Sequence, residues 1–335
     1  MNILSVIGTR PQYIKIKPFY DYCLNNEIKH TIIDTNQHYS YSVSDIFIKE
    51  LNLDITYNIQ ANSHNEITFI SDCMNKLYDI YTKEKPNFIL VYGDTNSTVS
   101  ASIVANKMHI PFGHVESGIR CYDKNRPEEI NRILVDDIAN IHFLSRKKDK
   151  KNVSNGIFCG DLEYYYLHQL KKQKILPKIT NNNYYIMTIH RAENTNYDNL
   201  NGIIKSCEKS HKQIIFPIHH RTKKVIEQYN ISIPNNIKII EPLNYMQTIN
   251  LLSYCSGVIS DSGGLTKICP FFGKKCLIPL KTNEWKEVVD YNFAKLNLDF
   301  DWLNNNDNIQ SNQNLYYNKN TCKIIVNTIK NYLNI

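Results

Sequence analysis

The 335-residue chain lacks several patterns that assign proteins to a class at once. No apolar run approaches the roughly 20 residues that a membrane-spanning helix needs, so we expect no membrane span. The nine cysteines form no CxxC pair and show no Cys/His metal spacing, so we expect no metal site. Without a signal peptide ahead of them, these cysteines predict reduced thiols in a cytoplasmic protein.

The sequence also lacks the patterns typical of proteins that bind two further classes of ligand, nicotinamide cofactors and nucleic acids. No GxGxxG fingerprint is present, so we expect neither NAD nor another cofactor. The net charge of +7 is spread along the chain, and its densest basic run, residues 147–151 (KKDKK), has no interleaved aromatic residues. That run favours a solvated surface over a nucleic-acid interface. A mildly basic surface instead suits an anionic small substrate.

What the sequence does contain is a repeated unit of a short apolar run, a turn and a helical segment. We predict strands at residues 3–9, 31–35, 88–92, 110–115, 138–145, 156–161, 184–188, 214–218, 237–240, 257–260 and 276–279. Repeated units of this length predict an α/β fold with doubly wound parallel sheets. We expect two Rossmann-like domains, at residues 1–166 and 184–316, with a linker within 167–183 and a final helix within 317–335.

Polar side chains lie just after four of the predicted strands, at the turns that follow them. They are Arg10, Gln37, Asp94 and Glu116. In doubly wound sheets, ligands bind beyond the carboxyl ends of the strands, so this placement predicts a ligand site. For Asp94 a second interpretation stays open, because an aspartate just before a predicted helix is also a good N-cap.

Residues 257–264 (GVISDSGG) predict a buried strand, a tight turn and the first turn of a helix. The adjacent glycines, Gly263 and Gly264, remove side-chain bulk where a phosphate would approach the backbone. The start of a helix offers free N–H groups and the positive end of its dipole. Together with Ser262, the two glycines therefore predict a diphosphate-binding turn.

The motifs, taken in order, resemble those of the non-hydrolysing UDP-N-acetylglucosamine 2-epimerases over nearly the whole chain. They lie at residues 8–11 (GTRP) with Lys15, 36–38 (NQH), 93–95 (GDT), 114–120 (HVESGIR), 126–132 (RPEEINR), 190–194 (HRAEN) and 260–264 (SDSGG). Residues 219–222 (HHRT) and 283–285 (NEW) resemble a branch that often handles modified sugars. The resemblance implies a GT-B fold, with the active site in the cleft between two Rossmann-like domains, and a homodimer.

The resemblance also implies a reaction that inverts C2 of a UDP-2-acetamido sugar. UDP is eliminated to leave a 2-acetamidoglycal and is then added back with the proton on the other face. Conversion of UDP-N-acetylglucosamine to UDP-N-acetylmannosamine, for polysaccharide synthesis, is the default expectation. The alternatives are a UDP-2-acetamido-6-deoxy-L-hexose (quinovosamine to rhamnosamine, or pneumosamine to fucosamine) or a UDP-diacetamido uronic acid. A GT-B glycosyltransferase and an inactive UDP-sugar binder stay open too.

The resemblance further implies roles for individual residues. The proposed catalytic set comprises Asp94, Glu116 and Glu128 for proton transfer and His190 for the leaving phosphate. The proposed substrate set comprises Arg10, Lys15, Gln37, His38, Arg132, His219, Ser262, Gly263 and Gly264. Arg10 and Lys15 would face phosphate, whereas Arg132 would orient carboxylates.

A second interpretation stays open for the pair Glu128 and Glu129 and for His190, and one position outside the motifs, Ile268, departs from the family's pattern. Glu128 and Glu129 both follow Pro127 at a predicted helix start, where the helix dipole favours acidic residues. A strand-end histidine such as His190 can also be one that simply bonds to a neighbouring backbone group. At Ile268 the family usually carries the glutamate that binds the ribose hydroxyls, so ribose binding is expected to be rearranged or weakened.

Overall fold

The computed structural model describes residues 1–37, 47–61, 64–305 and 309–335. These residues form two units. The N-terminal unit comprises Met1–Gln169 and Tyr316–Ile335, and the C-terminal unit comprises Leu170–Leu315. The final helix is present, and it belongs to the N-terminal unit although it lies at the other end of the chain.

A parallel sheet organises the N-terminal unit. Its strands are β1 (Asn2–Ile7), β2 (Lys29–Asp34), β3 (Tyr57–Asn58), β4 (Phe88–Tyr92), β5 (Phe112–Val115), β6 (Ile141–Leu144) and β7 (Ile157–Phe158). Their spatial order is β3-β2-β1-β4-β5-β6-β7, and the pairings are parallel. In β1, Ile3 pairs with His30 on one side and with Phe88 on the other. The direction of winding therefore reverses between β1 and β4.

A second parallel sheet organises the C-terminal unit. Its strands are β8 (Tyr184–Thr188), β9 (Gln213–Pro217), β10 (Ile237–Ile240), β11 (Gly257–Ser260), β12 (Lys275–Leu277) and β13 (Ala294–Lys295). Their order, β10-β9-β8-β11-β12-β13, repeats the pattern of the first sheet. The reversal here falls between β8 and β11.

Helices connect successive strands in both units. The described α-helices of five or more residues are α1 (Arg10–Asn25), α2 (Glu66–Glu84), α3 (Asn96–Lys107), α4 (Pro127–Ile138), α5 (Leu162–Lys172), α6 (Tyr197–Ser206), α7 (His220–Gln228), α8 (Tyr245–Tyr254), α9 (Gly263–Phe272), α10 (Lys286–Asp290), α11 (Phe300–Asn304) and α12 (Thr321–Leu333). This alternation of strands and helices confirms the predicted α/β class with parallel sheets.

The strands form where the sequence carries short apolar, β-branched runs. All five residues of β4 (FILVY) are buried, which is typical of a parallel strand covered by helices on both faces. In the N-terminal core, β1 and β4 pack with α2 and α3, as shown by buried Leu4, Val91, Leu77 and Val104. The strands that the sequence missed, β3 and β13, have two residues each, too few to show a pattern.

The reversal of winding in each sheet positions the candidate site residues. In an open parallel sheet, the two connections that leave such a point diverge, and a crevice forms at the carboxyl ends of the strands. In the N-terminal unit these ends lead to Gly8 and Gly93, and in the C-terminal unit to Ile189 and Asp261. Most of the predicted site residues lie in the turns or helix starts that come directly after these strand ends.

Candidate active site

Asp94 and Glu116 follow the neighbouring strands β4 and β5, and each has a cationic partner from a helix. We call these two residues and their partners, Lys15 and Arg132, the carboxylate cluster. Lys15 Nζ lies 2.5 Å from Glu116 Oε2, and both side chains are almost completely buried. Arg132, from α4, forms an ion pair with Asp94. The structure therefore places Lys15 on a carboxylate, whereas the resemblance assigned it to phosphate.

The turn at Gly93 brings the two strand ends together. Gly93 has a left-handed backbone with φ of +66°, and a Cβ added there would lie 3.5 Å from Glu116 Oε2 and 3.8 Å from Lys15 Nζ. The carbonyl oxygen of Asp94 accepts a 2.9 Å hydrogen bond from Asn131 Nδ2. Backbone and side chain of Asp94 are thus both held by α4.

The N-cap interpretation of Asp94 is wrong. The cap of α3 is Thr95, whose hydroxyl accepts a hydrogen bond from the backbone N–H of Thr98 at 3.3 Å. The chain reaches Thr95 in the extended conformation that caps adopt. Asp94 precedes the cap, and its carboxylate meets Arg132 instead.

Glu128 and Glu129, adjacent in α4, have different environments. Glu129 is buried and accepts hydrogen bonds from the backbone N–H groups of Cys121 (2.8 Å) and Tyr122 (3.0 Å). Its carboxylate therefore anchors the loop ahead of α4. Glu128 is exposed and remains accessible to a ligand.

The other predicted residues of this unit lie at the same sheet edge. Arg10 is the first residue of α1, and its guanidinium lies 5.7 Å from the ring centre of Phe47. Burial lowers the pKa of Arg10. Gln37 follows β2, and its Oε1 accepts hydrogen bonds from the Ser97 backbone N–H (3.0 Å) and hydroxyl (2.8 Å). His38 lies outside the described residues.

In the C-terminal unit, Asp261 follows β11, and its carboxylate bonds to the loop that follows β8. It therefore links the two connections that leave the reversal point. Its carboxylate accepts hydrogen bonds from the backbone N–H groups of His190 and Arg191, each at 3.0 Å, and from Asn194 Nδ2 at 3.1 Å. His190 Nδ1 lies 3.1 Å from Asp261 Oδ1. Burial alone would raise the pKa of Asp261, but the bonds from His190 outweigh it and the pKa is lowered. Asp261 is therefore ionised and orients His190.

Asp261 also begins the glycine turn, residues 261–264, which leads into α9. Ser262 caps this helix, and the first helical residues are Gly263 and Gly264. A Cβ at Gly263 would lie 2.5 Å from Glu284 Oε1, so a side chain there requires the Glu284 carboxylate to shift. A Cβ at Gly264 would meet nothing closer than Ser262 Oγ at 4.0 Å, which leaves space beside the helix N-terminus. This geometry suits an anionic group.

Two histidines and an arginine lie near this turn. The rings of His190 and His219 have centres 5.9 Å apart, and His219 caps α7 by accepting from Arg221 N. Arg191 NH2 lies 2.9 Å from Glu284 Oε1. Sequence reasoning assigned no role to Arg191 or Asp261, although both lie in the quoted motifs. At Ile268 the side chain is buried.

The described part of the chain has neither a cluster of metal ligands nor a membrane-spanning helix. Residues 1–37, 47–61, 64–305 and 309–335 contain no group of three or more His, Cys, Asp or Glu side chains placed to hold a metal ion. Among the helices in these ranges, none is long and apolar enough to cross a membrane.

Comparisons with known proteins agree with one another. A model of the UDP-N-acetylglucosamine 2-epimerase family matches residues 23–330. The chain is 37% identical over 309 residues to a UDP-N-acetylglucosamine 2-epimerase homolog of Methanococcus maripaludis, with 86% of each chain covered. It is 31% identical over 310 residues to the UDP-2,3-diacetamido-2,3-dideoxy-D-glucuronate 2-epimerase of Pseudomonas aeruginosa, again with 86% of each covered.

A solved structure extends the likeness to the fold. The UDP-GlcNAc 2-epimerase of Methanocaldococcus jannaschii, crystallised with UDP-GlcNAc and UDP, matches with a TM-score of 0.88 at 28% identity. The match covers 99% of this chain and 100% of that chain. The fold is thus of the GT-B type. This protein belongs to the UDP-N-acetylglucosamine 2-epimerase family and is a sugar isomerase.

Proposed function

We propose that this protein is a non-hydrolysing C2-epimerase of a UDP-2-acetamido sugar, with UDP-N-acetylglucosamine to UDP-N-acetylmannosamine as the default reaction. The observation that carries the proposal is the carboxylate cluster. Asp94 and Glu116 stand at adjacent strand ends, each with its own cationic partner. Two carboxyl groups in different environments are what an acid and base pair requires.

The proposed chemistry starts from a C2 proton that no adjacent carbonyl acidifies. A base removes this proton while the bond from C1 to the diphosphate oxygen breaks, which leaves a 2-acetamidoglycal and UDP. Return of UDP, with a proton delivered to the other face of C2, completes the inversion. We assign these proton transfers to Asp94, Glu116 and Glu128. Glu116, bonded to the Lys15 ammonium, is held as a carboxylate, the form that a base needs.

We assign the departing diphosphate to the glycine turn, His190 and Arg10. The N-terminus of α9 supplies backbone N–H groups and a dipole, and Gly264 leaves room for a phosphate. Asp261 engages Nδ1 of His190, so Nε2 is the nitrogen that we assign to the leaving phosphate. Gln37, His38, Arg132 and His219 complete the proposed substrate set.

A diacetamido uronic acid is the second candidate substrate, because the Pseudomonas aeruginosa relative is named for that sugar. A 6-deoxy-L-hexose stays a further alternative. A panel of these UDP-sugars, incubated in deuterated water and followed by NMR, tests all of them. The true substrate acquires deuterium at C2 and changes configuration without an acceptor. If none of the sugars does either, the epimerase proposal fails, and transfer to an acceptor would favour a glycosyltransferase.

The residue assignments are tested by Asp94→Asn and Glu116→Gln. We expect each to reduce turnover by at least about 100-fold while UDP still binds, because general acid–base groups contribute about 10²–10⁴-fold. Asp137→Asn, an exposed aspartate of α4, is the matched control and should keep wild-type turnover. Near-normal turnover of both site variants would remove these carboxylates from the chemistry.

We also propose that the protein is a cytoplasmic homodimer that supplies a sugar nucleotide for polysaccharide synthesis. All nine cysteines are free and buried, as expected in a reducing compartment. Apolar side chains are exposed on α2 (Ile67, Tyr78) and on α4 (Ile130, Leu134), where a second copy would cover them. Light scattering should give twice the 39.2 kDa of one chain, and a monomer at working concentration would contradict the dimer.

A further inference from the structure

His114 lies in the middle of the N-terminal sheet, and its side chain is completely buried. Nδ1 lies 2.7 Å from Asp136 Oδ1, and Nε2 lies 2.7 Å from the carbonyl oxygen of Gly93. A carbonyl oxygen only accepts hydrogen bonds, and so does an ionised carboxylate. Each ring nitrogen therefore lies against an acceptor, so the ring is held from both sides.

The environment of Asp136 shows that it is ionised. Besides His114, its carboxylate accepts from the Ser117 hydroxyl (2.5 Å) and the Gly118 backbone N–H (3.0 Å), and it pairs with Arg120 NH1 (2.6 Å). Burial alone would raise the pKa of Asp136, but His114, Ser117 and Arg120 outweigh it, and the pKa lies well below its usual range. A buried carboxylate with these partners is stable as an anion.

This pair of side chains connects the two turns that carry Asp94 and Glu116. On one side, His114 holds the carbonyl of Gly93, the residue before Asp94. On the other side, Asp136 holds Ser117 and Gly118, the residues after Glu116. Glu116 has φ of +67°, a left-handed conformation that a non-glycine residue keeps only when its surroundings impose it. A continuous chain of hydrogen bonds thus runs from one turn to the other.

We propose that His114 is a positioning residue for the proposed C2-epimerisation, on which this inference rests. Bonded to Asp136 and to the Gly93 carbonyl oxygen, it fixes the Asp94 turn relative to the Glu116 turn. It acts through these turns, since its two ring nitrogens are both engaged by protein groups. Its loss should therefore affect the reaction more than the binding of substrate.

A second histidine offers a matched control. His142, in β6, is also buried and belongs to the same network: Nδ1 lies 2.9 Å from the Ser117 hydroxyl and 3.9 Å from Asp136 Oδ1. Burial lowers its pKa, which favours the neutral ring. No hydrogen bond in the described residues joins it to the Gly93 carbonyl, so it does not connect the two turns.

The test compares His114→Gln with His142→Gln in the full-length protein. Glutamine carries one donor group and one acceptor, so it cannot donate to both Gly93 and Asp136. We expect His114→Gln to lower kcat about 100-fold, since misplacing catalytic groups by about 1 Å costs that much. KM and the Kd for UDP should stay within about threefold of wild type. His142→Gln should keep kcat within about threefold.

A wild-type kcat in folded His114→Gln, or an equal loss in His142→Gln, would overturn the proposal. If His114→Gln does not fold, Asp136→Asn serves as the second variant, with the same expected loss of kcat. Failure of the proposed function would instead show as an inactive wild-type enzyme.

Discussion

Replacing Asp261 by asparagine should destabilise the C-terminal unit and misplace His190. Asp261 is buried, and its Oδ2 accepts hydrogen bonds from Arg191 N and Asn194 Nδ2. Its Oδ1 accepts from His190 N and lies 3.1 Å from Nδ1 of the same residue. The backbone N–H of His190 also lies 3.1 Å from Oδ2, so it can bond to either oxygen. Asparagine keeps one oxygen and puts an amide N–H₂ where the other oxygen was, so at least one of the other partners loses its acceptor.

The expected cost follows from these lost bonds. A buried donor without a partner costs about 1–3 kcal/mol. Because His190 and Arg191 are partly exposed, water replaces some of what is lost, and we expect about 1–2 kcal/mol in total at neutral pH. The pKa of Asp261 is lowered in the folded state, so its stabilisation is present above about pH 4 and is lost as the pH falls through the folded-state value. The difference in the free energy of unfolding between the variant and the wild type should therefore become smaller at acidic pH.

Urea unfolding followed by tryptophan fluorescence measures this difference in the unit that contains Asp261. The two tryptophans, Trp285 and Trp302, both belong to the C-terminal unit. The exposed Asp290 provides a matched control, and Asp290→Asn should change the free energy of unfolding by less than about 0.5 kcal/mol. If Asp261→Asn is as stable as this control, or if its deficit is the same at about pH 7 and about pH 3.5, the reasoning on Asp261 is wrong.

Two further comparisons use neighbouring residues with different surroundings. Gly263→Ala should destabilise the protein by about 1 kcal/mol, because the new Cβ would displace the Glu284 carboxylate from Arg191, whereas Gly264→Ala should raise stability by up to about 1 kcal/mol. Both should weaken UDP binding in calorimetry, and an unaffected Kd in both variants would contradict a diphosphate at the turn. Glu129→Gln should lower the midpoint temperature of thermal unfolding. Each oxygen of the buried Glu129 carboxylate accepts one backbone hydrogen bond, and glutamine replaces one of these oxygens by an N–H donor. Glu128→Gln should keep that midpoint but lose turnover, and the opposite pattern would exchange their roles.

The secondary structure was largely predictable from local patterns. The strands of the two sheets coincide with short apolar, β-branched runs, and the turns follow the polar or glycine residues that end them. The two-residue strands β3 and β13 were not predictable, because their pairing depends on a neighbouring strand and not on a local pattern. Membership of the final helix in the N-terminal unit was likewise invisible, since it is decided by packing across the whole chain.

The candidate site, like the secondary structure, was predictable from the sequence only in part. The rule that ligands bind at strand ends placed Asp94 and Glu116 at one sheet edge. The local sequence around Asp94 also fits an N-cap, and only the position of Thr95 in the folded chain excluded it. Glu128 and Glu129 share one local pattern, and burial of the second distinguished them.

The α/β class, the order of strands and helices along the chain, and the turns that carry charged residues all follow from short-range patterns of apolar and turn-forming residues. The pairing of the charges does not follow from such patterns and depends on the folded chain. Lys15 and Glu116 lie 101 positions apart, and the partners of His114 come from the turn after another strand and from a helix. Such pairings are set by how the helices pack on the sheet, which no local pattern records.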